Sequence, residues 1–142
     1  MTTKDKTAKP VKGGKAAQKL ARILIMEDDA FLAGIYETKL DHEGFTVLHA
    51  PDGAAGLKMA REEKPDLILL DILMPKLDGF EVLGELKKDA STRGIPVIML
   101  TNLGQKEDVD RGIKLGAVDY LIKAHFIPSE TVARIKKVLK IG

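Results

Sequence analysis

From Arg22 onward, short continuous apolar runs alternate with longer stretches in which apolar side chains recur every three or four residues. Ile23–Met26, Leu67–Leu70 and Val97–Leu100 are runs of the first kind. Uninterrupted apolar stretches of that length predict strands buried on both faces, as in a parallel sheet. Thr46–His49 and Val118–Ile122 are strand-like but more polar, which suits the edges of a sheet. A helical spacing follows each strand: Phe31, Leu32, Ile35 and Leu40; Ala54, Leu57 and Ala60; Phe80, Leu83 and Leu86; Val109 and Ile113; Val132, Ile135 and Leu139. Asp29, Asp52 and Ser129 stand where helix caps are needed, and Gly44 and Gly116 where helices stop.

Five strand–helix units in succession predict an α/β fold, (βα)5, around a parallel sheet. The three most apolar strands, the first, third and fourth, belong in the centre. Right-handed crossovers then favour the order 2-1-3-4-5, the flavodoxin-like doubly wound arrangement. Its switch point lies between strands one and three, and ligand chemistry is expected at the C-terminal strand ends there.

The chain has 142 residues, enough for one domain. Hydrophobic residues make up 44% and charged residues 31%, a globular composition. No apolar run approaches the ~18 residues of a membrane span, and no apolar signal segment follows the first lysines. The chain contains no cysteine, which excludes disulfides and thiol chemistry and suits the cytoplasm. Charge is uneven. Residues 1–22 hold seven basic side chains against Asp5 alone, and the remainder carries 16 basic against 20 acidic. The division expected is a disordered basic tail over 1–20, with a short helical stub at Ala16–Ala21, and one folded domain over 21–142. The high overall pI therefore belongs to the tail and predicts no nucleic-acid surface on the folded part.

Polar residues punctuate the strand ends. Glu27-Asp28-Asp29 follows the first strand, Asp71 the third, Thr101 ends the fourth and Lys123 follows the fifth. Carboxylates crowded round one crevice repel one another and call for a hard dication. A hydroxyl and an ammonium beside them can hold phosphoryl oxygens, and an Asp carboxylate can itself be a nucleophile.

The segments ILIMEDD, KPDLILLDILMPKLDGF, IPVIMLT and LGAVDYLIK resemble, in order and spacing, the response-regulator receiver domains of two-component signalling, stand-alone chemotaxis-type receivers among them. The match spans about residues 22–141. The resemblance implies that Asp71 is the phosphoacceptor. Asp28, Asp71 and the backbone carbonyl of Leu73 would ligate Mg²⁺ (Mn²⁺ substituting), with Glu27 acting through water. Thr101 would bond the phosphoryl group, Lys123 would pair with Asp71, and Tyr120 would be the aromatic whose burial changes with Thr101. It implies a sensor histidine kinase or a phosphotransfer protein as donor, and an output partner on the surface of the fourth helix, fifth strand and fifth helix. Such a chain is a signalling switch rather than an enzyme on other substrates, monomeric or a phosphorylation-dependent homodimer.

Gly142 follows directly on the fifth helix, so the reading is a stand-alone receiver; the alternative is a fragment of a longer DNA-binding regulator. A dehalogenase-type phosphatase would need a carboxylate where Leu73 stands. A flavodoxin would need a phosphate loop where Glu27–Asp29 would repel FMN. Ala124 stands where receivers usually have proline, and the Lys123–Ala124 peptide is expected to be trans. Leu73 and Leu103 occupy positions that are often polar in the family, and a long-lived aspartyl phosphate is expected from their water exclusion. His42, His49 and His125 show no ligand spacing and are expected to be structural or surface residues. Met26, Met59, Met74 and Met99 read as core and loop fillers.

Overall fold

The computed structural model describes residues 20–141. Five parallel strands, β1 (Arg22–Met26), β2 (Thr46–Ala50), β3 (Leu67–Leu70), β4 (Val97–Thr101) and β5 (Asp119–Ile122), form one sheet in the order β2-β1-β3-β4-β5. The helices are α1 (Ala30–His42), α2 (Gly53–Glu63), α3 (Gly79–Lys88), α4 (Lys106–Leu115) and α5 (Pro128–Leu139), with a short 3₁₀ turn at Lys123–His125. This is the predicted flavodoxin-like α/β fold, with the apolar strands β1, β3 and β4 central. The tail predicted over 1–20 lies, apart from Leu20, outside the described residues. Leu20 and Ala21 are not helical but lead into β1, where the Leu20 N–H donates to the Gly44 carbonyl.

Strand alternation sends successive side chains to opposite faces, and each face has its own core. Ile23, Ile25, Leu67, Leu69, Ile98, Leu100 and Leu121 pack under α1 and α5. Leu24, Met26, Ile68, Leu70, Val97 and Met99 pack under α2, α3 and α4. Burial of side chains of this size contributes about 1.5–3 kcal/mol each. The alternation carries past the strand ends. Glu27, Asp71 and Lys123 each continue the row of the α1/α5 face, two residues after Ile25, Leu69 and Leu121.

Local signals account for most boundaries. Asp29 accepts from the Leu32 N–H at 3.1 Å and starts α1, and Asp52 accepts from Ala55 at 2.8 Å and starts α2. Gly116 ends α4 at φ 114°, a left-handed conformation suited to glycine. Two local expectations are corrected. Ser129 is not a cap: Pro128 begins α5, its ring φ fitting the first turn, and Ile127 is the capping position, its N–H donating to Glu130 Oε1 at 3.0 Å. The inward face of α1 is Ala33, Tyr36 and Leu40, while Phe31 is 80% exposed and Ile35 also faces outward.

Candidate functional site: an acidic crevice closed by a lysine

Glu27, Asp28 and Asp71 meet because β1 and β3 pair in parallel with Met26 opposite Leu70. The Asp71 N–H donates to the Met26 carbonyl at 3.1 Å, which joins the two acidic loops one residue beyond that rung. Ligand oxygens of the three carboxylates lie within 4.8 Å of one another. Asp28 is exposed, whereas Glu27 and Asp71 are only 5% and 6% exposed.

Each buried carboxylate is held by named donors. Asp71 Oδ1 accepts from the Ile72 N–H at 2.7 Å and the Leu73 N–H at 3.4 Å. Glu27 Oε2 accepts from the Asp29 N–H at 3.1 Å. Lys123 Nζ bridges the pair, 2.6 Å from Glu27 Oε1 and 2.9 Å from Asp71 Oδ2. Burial pushes the Glu27 pKa above its ordinary value, against the lowering pull of Lys123. Burial opposes the charge on Lys123, but hydrogen bonds to Glu27 and Asp71 outweigh it and hold its pKa above the usual lysine value.

Lys123 reaches the crevice from the 3₁₀ turn after β5. No described peptide bond is cis, so the predicted trans Lys123–Ala124 linkage is present. Thr101, fully buried, ends β4, and its Oγ1 accepts from the Leu103 N–H at 3.4 Å. The Tyr120 hydroxyl donates to the Leu103 carbonyl at 2.6 Å, which ties β5 to the loop after β4. Burial, with the charges of Asp108 and Asp71, pushes the Tyr120 pKa up to about 12. Its ring lies against α4 where Gly112 has no side chain: a Cβ there would stand 2.9 Å from Tyr120 Cδ2.

Three carboxylates against one ammonium leave a charge deficit that a dication matches, and their oxygens are the hard donors that Mg²⁺ takes. The Leu73 backbone lies at the same place, as its bond to Asp71 shows. Sequence reasoning missed one participant. His49, read as structural or surface, donates from Nε2 to the Glu27 carbonyl at 2.7 Å. Its position two residues after Val47, which packs on the α1/α5 core, was the available signal.

A family model for the response regulator receiver domain matches residues 23–136. The chain belongs to the response regulator receiver domain family. Among its relatives, it is 42% identical over 121 residues to the DNA-binding dual master transcriptional regulator RpaA of Synechocystis, covering 85% of this chain and 50% of that protein. It is 40% identical over 119 residues to the alkaline phosphatase synthesis transcriptional regulatory protein PhoP of Bacillus subtilis, covering 84% of this chain and 48% of PhoP. The chain thus spans about half the length of the curated relatives it matches. In solved structures it is similar to a CheY-like receiver domain protein from Methanospirillum hungatei, with TM-score 0.80 and 30% identity over 86% of this chain and 95% of that one. The receiver domain of a Francisella response regulator gives TM-score 0.79 and 32% identity over 84% and 97%. Receivers are signalling switches of two-component systems and generally bind Mg²⁺. No described helix is long and apolar enough to cross a membrane.

Proposed function

We propose that this receiver accepts a phosphoryl group on Asp71 from a phosphohistidine of a sensor kinase or phosphotransfer protein, in the cytoplasm. The observation that carries the reading is the Lys123 ammonium bridging Glu27 and Asp71 in a crevice that also holds Asp28. Asp28, Asp71 and the Leu73 carbonyl would hold Mg²⁺, with Glu27 behind them through water. The metal supplies charge neutralisation for the incoming phosphoryl oxygens. The amides of Ile72 and Leu73 orient the Asp71 carboxylate. An Asp71 oxygen forms the new P–O bond as the donor's P–N bond breaks. The electron pair stays on the imidazole, which takes up a proton. Lys123 then pairs with the phosphoryl group and Thr101 donates its hydroxyl to it.

A protein donor is supported by the rim. Phe31, Leu73 and Ile127, all strongly exposed, stand just beyond the C-terminal ends of β1, β3 and β5. Thr101 moving toward the phosphoryl group would release the Leu103–Tyr120 contact and alter the α4-β5-α5 face, where an output partner or a second copy binds. The test is intact mass after incubation with a small acyl-phosphate donor and Mg²⁺. A gain of one phosphoryl group, absent in Asp71→Asn and in EDTA, is expected; an equal gain in either control overturns the reading.

The match to half of each longer transcriptional regulator, one of them named as DNA-binding, favours a second reading, in which this receiver controls a DNA-binding segment of the same protein. The reading frame flanking the segment in its gene distinguishes the two.

A further inference from the structure

We propose that His49 is a positioning residue for the acidic crevice: its bond to the Glu27 carbonyl fixes the bend that carries Glu27 and Asp28 to Asp71. The inference rests on the Mg²⁺ reading of this site and adds a residue to it. A carbonyl only accepts, so the 2.7 Å contact requires that His49 Nε2 carry the proton. The contact joins residues 22 apart in sequence. It lies where the β1–β2 ladder runs out. Ile25 pairs with His49 and Met26 with Ala50, and the Glu27 N–H makes the last backbone rung, 3.1 Å from the Ala50 carbonyl. Beyond Ala50 the chain turns through Pro51 to Asp52, the cap of α2, and leaves the sheet. The imidazole thus stands in for the next rung.

With this bond every polar group of Glu27 is held: its N–H by Ala50, its carbonyl by His49, and its carboxylate by Lys123 and Asp29. Without His49 the carbonyl end is released, and Asp28, the next residue, loses its anchor on the β2 side. Asp28 is the exposed member of the three carboxylates, so its place depends most on the backbone. The imidazole would not itself be a ligand of the cation; it acts through the Glu27–Asp28 peptide. Residues that orient ligands in this way typically alter metal affinity when they are lost.

The experiment is calorimetric titration of the purified chain with Mg²⁺ alone, with no phosphodonor. His49→Thr and His49→Val place a β-branched residue that suits a strand but are too short to reach the carbonyl. Each should weaken Mg²⁺ binding roughly tenfold, the lower end of what such orienting partners contribute. Metal-free melting temperatures should stay near that of the parent, and the amide resonances of Glu27, Asp28 and Asp29 should shift. His49→Gln, whose amide can donate over a similar reach, should recover most of the affinity. Parent-like Mg²⁺ affinity in the Thr and Val variants, or a Gln variant as weak as they are, overturns the role of His49. A parent that binds no Mg²⁺ overturns the reading of the site as well, so the two failures are told apart.

Discussion

The Lys123 ammonium lies closer to Glu27, at 2.6 Å, than to Asp71, at 2.9 Å. It therefore serves two carboxylates that would otherwise be buried side by side. Removing one member of a buried ionic group leaves the others uncompensated, at a typical cost of about 3–5 kcal/mol. Lys123→Met should lower urea stability at neutral pH by about 3 kcal/mol in metal-free buffer. Saturating Mg²⁺ should return part of the loss, because the dication offsets the same charges. An unchanged unfolding midpoint without Mg²⁺ would show that the ammonium does not hold the pair.

Tyr120 gives a pH prediction. Its pKa is pushed from 10.0 up to about 12, chiefly by burial. A raised folded-state pKa contributes stability that is complete below the unfolded value and is lost as pH rises through the folded one. Stability should therefore decline between pH 10 and 12. Tyr36 is also raised by burial, so phenolate absorbance at pH 10 should fall below that of two free tyrosines. Tyr120→Phe should flatten the decline. A tyrosine that titrates at its ordinary value would contradict the packing of this ring against Gly112.

Gly79 marks where α3 meets the end of β3. A Cβ there would come 2.6 Å from Ile72 Cα and closer still to the Asp71 carbonyl oxygen, both backbone atoms that cannot swing aside. Gly79→Ala must displace the loop bearing Asp71. Overpacking of this kind costs about 1–3 kcal/mol, and phosphorylation should fall more steeply than stability. Phosphoryl incorporation and thermal melting, measured together, check the order of the two effects.

Leu73 and Leu103 differ in a way that sharpens the prediction for phosphoryl lifetime. Leu73 is 58% exposed at the rim, while Leu103 packs against the α2/α3/α4 core. A polar group at 73 can reach water at the crevice without disturbing the core. Leu73→Asn or Leu73→Glu should shorten the aspartyl phosphate several-fold by positioning the hydrolytic water. Substitution of Leu103 should chiefly lower stability. An unchanged or longer lifetime in the Leu73 variants would remove water exclusion as the limit on hydrolysis.

The site was legible in sequence because its residues terminate apolar runs. Asp71 after Leu67–Leu70 and Lys123 after Leu121–Ile122 are placed by the strands themselves, and parallel pairing brings strand ends together whatever the loops do. The inner face of α1 was not legible. Phe31 and Ile35 compete with Ala33 and Tyr36 for one helical stripe beside Leu32 and Leu40, and spacing alone does not choose between them. The sheet chose the second set, and Phe31 was left in solvent beside the crevice. His49 escaped notice for another reason. Alternation with Val47 placed it on the α1/α5 face, but its partner is a backbone carbonyl, which side-chain spacing does not name.

The row formed by Glu27, Asp71 and Lys123 also has a consequence for how the chain matures. A slip of one residue in strand pairing turns every side chain to the opposite face. Were β1 to slip so against β3, Glu27 and Asp28 would exchange sides, and Lys123 would no longer meet the pair of carboxylates it now bridges. Such a mispaired chain could still be compact and keep most of its apolar surface covered, yet it would lack the Lys123 bridge between Glu27 and Asp71. On the proposed function, phosphoryl acceptance would therefore separate correctly assembled molecules from collapsed ones that bulk measures of folding would count alike.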